Sequence, residues 1–174
     1  LKNLIIKNNH ASDDGGGIHS HGATPILENL IIQNNSASLY GGGIYIENTT
    51  EQYLGYNYSV PISNCTISNN TTYQGGGIYI NNGSMNIYNS AISNNLSESN
   101  GGGIHAINIS DVNIFQTIFN GNSSSISGGG IYTVDDVDLF VSGSLFYANS
   151  TPHNGSAIFM NAGSNANIEN ITVV

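Results

Sequence analysis

The sequence is dominated by a recurring triple glycine that is followed by isoleucine and then by a residue with a ring. The copies begin at Gly15, Gly41, Gly75, Gly101, Gly128 and, as a degenerate Gly-Ser-Ala-Ile-Phe, at Gly155. Successive copies start 26, 34, 26, 27 and 27 residues apart. A near-constant period of this length is typical of a solenoid, in which each repeat buries its apolar side against its neighbours. Glycines at one place in every repeat indicate a corner where two backbones approach closely.

Aligning the copies by their glycines reveals a column of asparagines. One asparagine stands five or six residues before each copy: Asn9, Asn35, Asn70, Asn95, Asn122 and Asn149. Residues of one column stack directly above each other in a solenoid, so amide side chains can hydrogen-bond along the stack. A buried asparagine without such a partner would cost about 1–3 kcal/mol. We therefore expect a continuous structural ladder here rather than a catalytic role.

The residues around these columns alternate between polar and apolar, which predicts short strands with one face inside. Three strands per coil would give an all-β, single-domain parallel β-solenoid over residues 1–174, with about six coils of 26–27 residues. Coils of this length resemble those of right-handed β-helices, so we expect that hand. Both ends carry the same phase of the coil without polar caps. We therefore expect a segment of a longer solenoid, or copies that stack end to end into a filament or surface layer.

The one long interval contains an insertion at about residues 49–60, and we expect it to form a loop. It carries Tyr53, Tyr56 and Tyr58. Insertions in solenoids emerge on one side, which is often the binding side. Two alternatives stay open, because rigid tyrosines serve equally well to bind a partner or to fold back over the rod.

The position after each Gly-Gly-Gly-Ile forms a column of rings: His19, Tyr45, Tyr79, His105, Tyr132 and Phe159. The preceding isoleucine is expected to point inward, so alternation predicts that the rings point outward and are exposed. Tyr45, Tyr79 and Tyr132 are therefore candidates for partner binding. We favour a structural role, in which stacked rings hold neighbouring coils in register.

Two further patterns have the residue types of a metal site. His19 and His21 form His-x-His on one strand face, but the sequence shows no third ligand, so no metal centre is predicted there. Asp111 and Asp138 are 27 residues apart and should be neighbours in adjacent coils. They are weak candidates for a calcium site, and we favour solvated surface acids. No cofactor motif is evident, and none is expected.

The charge balance excludes several classes of partner. The chain has two lysines, no arginine and a net charge of −9, so it cannot neutralise nucleic-acid phosphates or anionic lipid. No apolar run approaches the ~18 residues of a spanning helix, so membrane insertion of this segment is not expected. A polysaccharide lyase would need cations, and a glycoside hydrolase would need two carboxylates ~5–10 Å apart in a cleft. We expect no enzyme, and keep a polysaccharide-binding or polysaccharide-degrading β-helix protein as the alternative.

Two coils combine Phe-x-x-Asn, beginning at Phe119 and Phe146, with Gly-Gly-x-Ile. This pairing resembles the repeats of chlamydial-type polymorphic outer membrane proteins, which belong to the passenger domains of autotransporter adhesins. The chain departs from them by using isoleucine for phenylalanine in four coils and glycine for alanine after Gly-Gly in five. The resemblance implies a parallel β-helix at the cell surface or outside the cell, with a structural or adhesive role.

Three partners are therefore expected: flanking coils or further copies of this chain, glycans, and the surface of a host or neighbouring cell. Several Asn-x-Ser/Thr triplets would be glycan acceptors in a secreted eukaryotic or archaeal protein. Chance is the better explanation for some of them, because asparagine, serine and threonine are all abundant here.

Overall fold

A computed structural model describes residues 1–51, 56–57, 59–108 and 110–174 of the chain. Within these ranges there is no helix, and all but two of the strands are parallel and lie in four sheets. Each of the first five coils contributes one strand to each sheet in turn, and the sixth coil contributes strands to three of them. The predicted all-β parallel solenoid is thereby confirmed, and its hand stays a prediction.

The four sheets are numbered in the order in which a coil passes through them. Sheet 1 contains Ile5–Lys7, Ile31–Gln33, Thr66–Ser68, Ala91–Ser93, Ile118–Asn120, Leu145–Tyr147 and Thr172–Val173. Sheet 2 contains the two-residue strands His10–Ala11, Ser36–Ala37, Thr71–Thr72, Leu96–Ser97 and Ser123–Ser124. Sheet 3 contains Ile18–His21, Ile44–Glu47, Ile78–Asn81, Ile104–Ile107, Ile131–Val134 and Ile158–Met160. Sheet 4 contains Leu27–Glu28, Ser59–Ser63, Ser84–Tyr88, Asp111–Phe115, Asp138–Ser142 and Asn165–Glu169.

The sequence predicts three strands per coil, whereas the structure has four. The additional strands are those of sheet 2, between the asparagine column and the glycines. They are only two residues long, too short to show an alternating pattern in the sequence. In all four sheets the strand of one coil pairs with those of the coils before and after it, so that equivalent residues stand side by side.

The core is a continuous column of aliphatic side chains. Ile44, Ile78, Ile104 and Ile131, which follow the glycines in sheet 3, are fully buried. In sheet 1, the rings of Phe119 and Phe146 stack with centroids 4.6 Å apart and planes 3° from parallel. Most of the apolar positions recur from coil to coil, and their buried side chains form one cluster along the rod.

The asparagine ladder is present, and Asn95 shows its geometry. Its Oδ1 accepts hydrogen bonds from the backbone N–H and from the Nδ2 of Asn70, both at 3.0 Å. Its Nδ2 donates to the carbonyl oxygen of Ile67 and to Oδ1 of Asn122, again at 3.0 Å. All four bonding positions of a buried amide are thereby filled, which removes the cost of burying it.

The glycine corner has two different requirements. Gly101 has a φ of +69°, a left-handed conformation that other residues adopt at a cost. At Gly102 the requirement is space, because a Cβ there would lie 2.4 Å from the carbonyl oxygen of Ser123 and 2.5 Å from that of Gly129. The expected close approach of backbones is therefore confirmed.

Asparagine also forms the corners between sheets 4 and 1. The residue that enters sheet 1 has a positive φ in every coil: Asn3, Asn29, Asn64, Asn89, Gln116, Gly143 and Asn170. Asparagine tolerates this conformation better than most residues. The abundance of asparagine therefore has two separate causes, ladder bonding inside the rod and left-handed corners outside it.

Candidate functional site

The insertion is the first candidate that the sequence indicates. It contains an antiparallel strand pair, Thr50–Glu51 with Tyr56–Asn57, which is the exception to the parallel pairing elsewhere in the described structure. Tyr53 and Tyr58 lie outside the described residues, as does the side chain of Tyr56. Partner binding by these three tyrosines stays a prediction.

The ring column is continuous but is not exposed as predicted. Successive centroids from His19 to Phe159 are separated by 4.7, 5.5, 4.9, 4.8 and 5.5 Å. Tyr45 and Tyr79 are 5% exposed and Tyr132 is 8% exposed, so the expectation of an exposed stripe is wrong for these three.

The burial of the ring column has a physical cause. Each central ring lies between the rings of the coils above and below, and the segment that enters the glycine corner lies beside it. Tyr40, from one such segment, stacks on Tyr79 at 4.6 Å. The continuous stacking and burial are compatible with the structural alternative, and both that role and a binding role for Tyr45, Tyr79 and Tyr132 stay predictions.

His105 is the buried histidine of this column. His105 is 2% exposed, and this burial lowers its pKa to about 4. Nδ1 lies 3.4 Å from the carbonyl oxygen of Asn100, and Nε2 has no hydrogen-bond partner among the described residues. The imidazole is therefore uncharged at neutral pH, and it packs between the neighbouring aromatic rings of the column.

The outer face of sheet 4 carries the second candidate. Asp111 and Asp138 are direct register partners in adjacent strands, as predicted. Ser84 Oγ lies 3.3 Å from Oδ2 of Asp111, and Asn165 Nδ2 donates to Oδ1 of Asp138 at 3.1 Å. These carboxylates line an open groove of about 350 Å³, together with Asn113, Leu139, Phe140, Asn165, Ala166 and Asn167.

Aromatic rings continue this face along the rod. Tyr88 stacks on Phe115 at 5.0 Å with the planes 7° apart, and Phe115 lies 5.3 Å from Phe140. Beside them, Asn113 Nδ2 donates to Oδ1 of Asn86 at 2.9 Å. Sequence reasoning missed this aromatic and amide surface, although Tyr88 and Phe115 occupy equivalent positions directly before the left-handed corners.

The third candidate is a cluster on the outer face of sheet 3 in the first two coils. Glu47 Oε1 lies 2.6 Å from Nδ1 of His21 and 3.6 Å from Nε2 of His19. The structure thus places a potential third ligand, which the sequence analysis did not identify, beside the histidine pair. Glu47 follows His21 by 26 residues, which is one period of the repeat. The alignment of the coils could therefore have predicted that these two residues are neighbours.

Within the described residues, these three form the one group of three or more histidine, cysteine, aspartate or glutamate side chains placed to hold a metal ion. Asp111 and Asp138 do not belong to such a group, and calcium binding by them stays untested.

Hydrogen bonds determine the charge state of Glu47. Its partial burial favours the neutral form, but hydrogen bonds from His21 and from the Tyr45 hydroxyl outweigh this and lower its pKa. Nearby, burial and the neighbouring Asp13 raise the pKa of Asp14. The cluster thus combines a carboxylate with two imidazoles.

Four segments of the chain match the Chlamydia polymorphic membrane protein repeat, at residues 3–21, 29–47, 64–81 and 116–134. Each match begins at the left-handed corner before sheet 1 and ends in the strand of sheet 3. The resemblance noted in the sequence is thereby confirmed. No curated protein and no solved structure shows significant similarity to the chain. The described residues include no helix that is long and apolar enough to cross a membrane.

Proposed function

We propose that this chain, which carries Chlamydia polymorphic membrane protein repeats, forms an exposed rod of a cell-surface protein. In this proposal it binds neutral glycans without cleaving them, on the outer face of sheet 4. The repeat family is named for membrane proteins, which supports a position at the cell surface. The observation that carries the binding role is the open groove lined by carboxylates, amides and Phe140.

The chemistry of the groove fits the hydroxyl groups and the flat faces of sugar rings. Carboxylate oxygens accept hydrogen bonds from hydroxyls, and asparagine side chains both donate and accept. The ring of Phe140 offers an apolar face. Neither lysine nor arginine lines the groove, and the chain has a net charge of −9, so acidic sugars would be repelled.

The rival function is glycoside hydrolysis by Asp111 and Asp138. Side chains on paired strands stand about 5 Å apart, which is near the spacing of carboxylates in retaining glycosidases. The groove, however, is open along the side of the sheet and does not enclose a substrate away from water. The open geometry favours binding over hydrolysis.

The test is binding to an array of neutral oligosaccharides, followed by calorimetry with the best ligand. Phe140→Ser should weaken binding at least tenfold, because the stacking surface is lost. Tyr147→Ser is the control, since Tyr147 is an exposed aromatic on sheet 1, away from the groove. Equal binding by Phe140→Ser and the unmodified chain would contradict the proposal.

Two further measurements separate the alternatives. Release of reducing ends from a polysaccharide, abolished by Asp138→Asn, would establish the hydrolase instead. Loss of binding when Tyr53, Tyr56 and Tyr58 are changed together to serine, with Phe140→Ser unaffected, would place the binding site in the insertion.

A further inference from the structure

We propose that His19, His21 and Glu47 bind a divalent transition metal ion, for which zinc is the reference. One donor atom from each residue lies within 4.8 Å of the other two. The site is separate from the groove on sheet 4, so this proposal does not depend on the glycan proposal.

The solenoid fixes these three residues on one surface. His19 and His21 are two positions apart on the strand Ile18–His21, so both side chains point to the outer face. The neighbouring strand places Glu47 directly beside His21. All three positions belong to paired strands, and a sheet holds ligands more rigidly than a loop would.

The distances suit an ion that replaces a shared proton. Bonds of about 2.0–2.1 Å in a tetrahedral site separate two ligand atoms by roughly 3.4 Å. The 3.6 Å between His19 Nε2 and Glu47 Oε1 already matches this spacing. The 2.6 Å between His21 Nδ1 and the same oxygen is a hydrogen bond, and the exposed imidazole can move outward by less than 1 Å when an ion takes the place of the proton.

The donor set selects the kind of ion. Imidazole nitrogen combined with one carboxylate oxygen suits zinc, copper and nickel, whereas magnesium and calcium prefer oxygen ligands. Three protein ligands leave a tetrahedral ion one position for water or for a donor from outside the chain. His21 is the most exposed of the three side chains, so that position faces solvent.

Surrounding groups support the same conclusion. The Tyr45 hydroxyl hydrogen-bonds to the Glu47 carboxylate, which is how second-layer partners orient a metal ligand. Asp14 is close enough to interact electrostatically with both His19 and Glu47. Of the two lysines in the chain, Lys2 is paired with Glu28 at 2.6 Å. The local excess of negative charge attracts a cation.

The experiment is titration of the untagged chain with zinc chloride near neutral pH, followed by calorimetry and by the visible absorption of cobalt substituted for zinc. We expect one ion per chain, and neither magnesium nor calcium should compete. His21→Ala and Glu47→Gln should each weaken binding at least tenfold, while His153→Ala should leave it unchanged.

A positioning variant distinguishes a metal site from a simple hydrogen-bonded pair. Tyr45→Phe keeps the ring in the stack but removes the hydroxyl, so zinc affinity should fall by about 10- to 100-fold. Failure to bind zinc at millimolar concentration would overturn the proposal, as would equal affinity in the unmodified chain and in Glu47→Gln. Either result would leave His21 and Glu47 as a hydrogen-bonded pair only.

Discussion

Replacing Asn95 with leucine removes four hydrogen bonds from the middle of the ladder and introduces a side chain of similar size. Asn95 is 1% exposed, and its amide bonds to Asn70, Ile67 and Asn122. Leucine can replace none of these bonds. The substitution therefore tests whether the ladder stabilises the rod or merely fills space.

The magnitude follows from the groups that lose a partner. The backbone N–H of Asn70, one of its side-chain N–H bonds and the carbonyl of Ile67 each lose the Asn95 amide. Each such loss in a buried site costs about 1–3 kcal/mol, and burying the leucine side chain offsets about 2 kcal/mol. The net loss in the free energy of unfolding is about 4 kcal/mol. For a domain of this size it would lower the melting temperature by roughly 8–16 °C.

The assay is thermal unfolding followed by circular dichroism, with Asn9→Leu as the matched control. Asn9 belongs to the same column but is exposed, and among the described residues its side chain donates to Oδ1 of Asn35 alone, at 2.9 Å. This control should change stability by less than about 1 kcal/mol. Equal melting temperatures for Asn95→Leu and the unmodified chain would refute the ladder argument, and so would equal losses in the two variants.

The remaining predictions concern acid, sterics and association. Between pH 6.5 and about 4 the unfolded chain protonates His105 and the folded chain does not, so stability should fall by about 1.4 kcal/mol per pH unit as the pH is lowered. His105→Phe should remove that part of the slope in urea unfolding, whereas exposed His153→Phe should not; equal slopes would contradict this. Gly102→Ala should prevent the coils from stacking, because the new methyl group would collide with two backbone carbonyl oxygens. Gly22→Ala meets no atom within 4 Å and should lower the free energy of unfolding by only about 1–2 kcal/mol, because of its positive φ. Circular dichroism compares the two variants, and a stably folded Gly102→Ala would be inconsistent with the close approach. The predicted end-to-end association should appear in sedimentation as a mass that rises with concentration, and a stable monomer with slow amide exchange in both terminal coils would oppose it.

The fold is readable from the sequence because the solenoid repeats its environment. Once the glycines are aligned, five or six equivalent residues indicate the structural role of each column, where a non-repetitive chain would offer one residue. Ile44 and Ile78 are buried for the same reason, as are Asn70 and Asn95. A period of 26 or 27 residues therefore carries information about register that a non-repetitive chain of this length lacks.

The burial of the ring column could not be predicted from alternation. Alternation assigns Tyr79 to the outer face of its strand, and that assignment is compatible with the structure. Its exposure depends on Tyr40, from the segment that enters a glycine corner and turns back beside the strand. The contact between Tyr40 and Tyr79 is a tertiary contact between different parts of two coils. A period-two pattern within one strand cannot predict such a contact.

The candidate metal cluster shows where sites in a solenoid should be sought. A motif search looks for ligands at fixed short spacings, and it finds His19 and His21 but not Glu47. In stacked coils the nearest neighbours of a residue lie two positions away along the strand and one period away in the next coil. Searching at both spacings would have found all three ligands. The insertion begins two residues after Glu47, so the one break in the period adjoins the one described cluster of metal-binding side chains. Both features lie at the corner between sheets 3 and 4 of the second coil. Variants of the insertion and variants of the metal cluster should therefore be combined, to test whether their effects on binding are coupled.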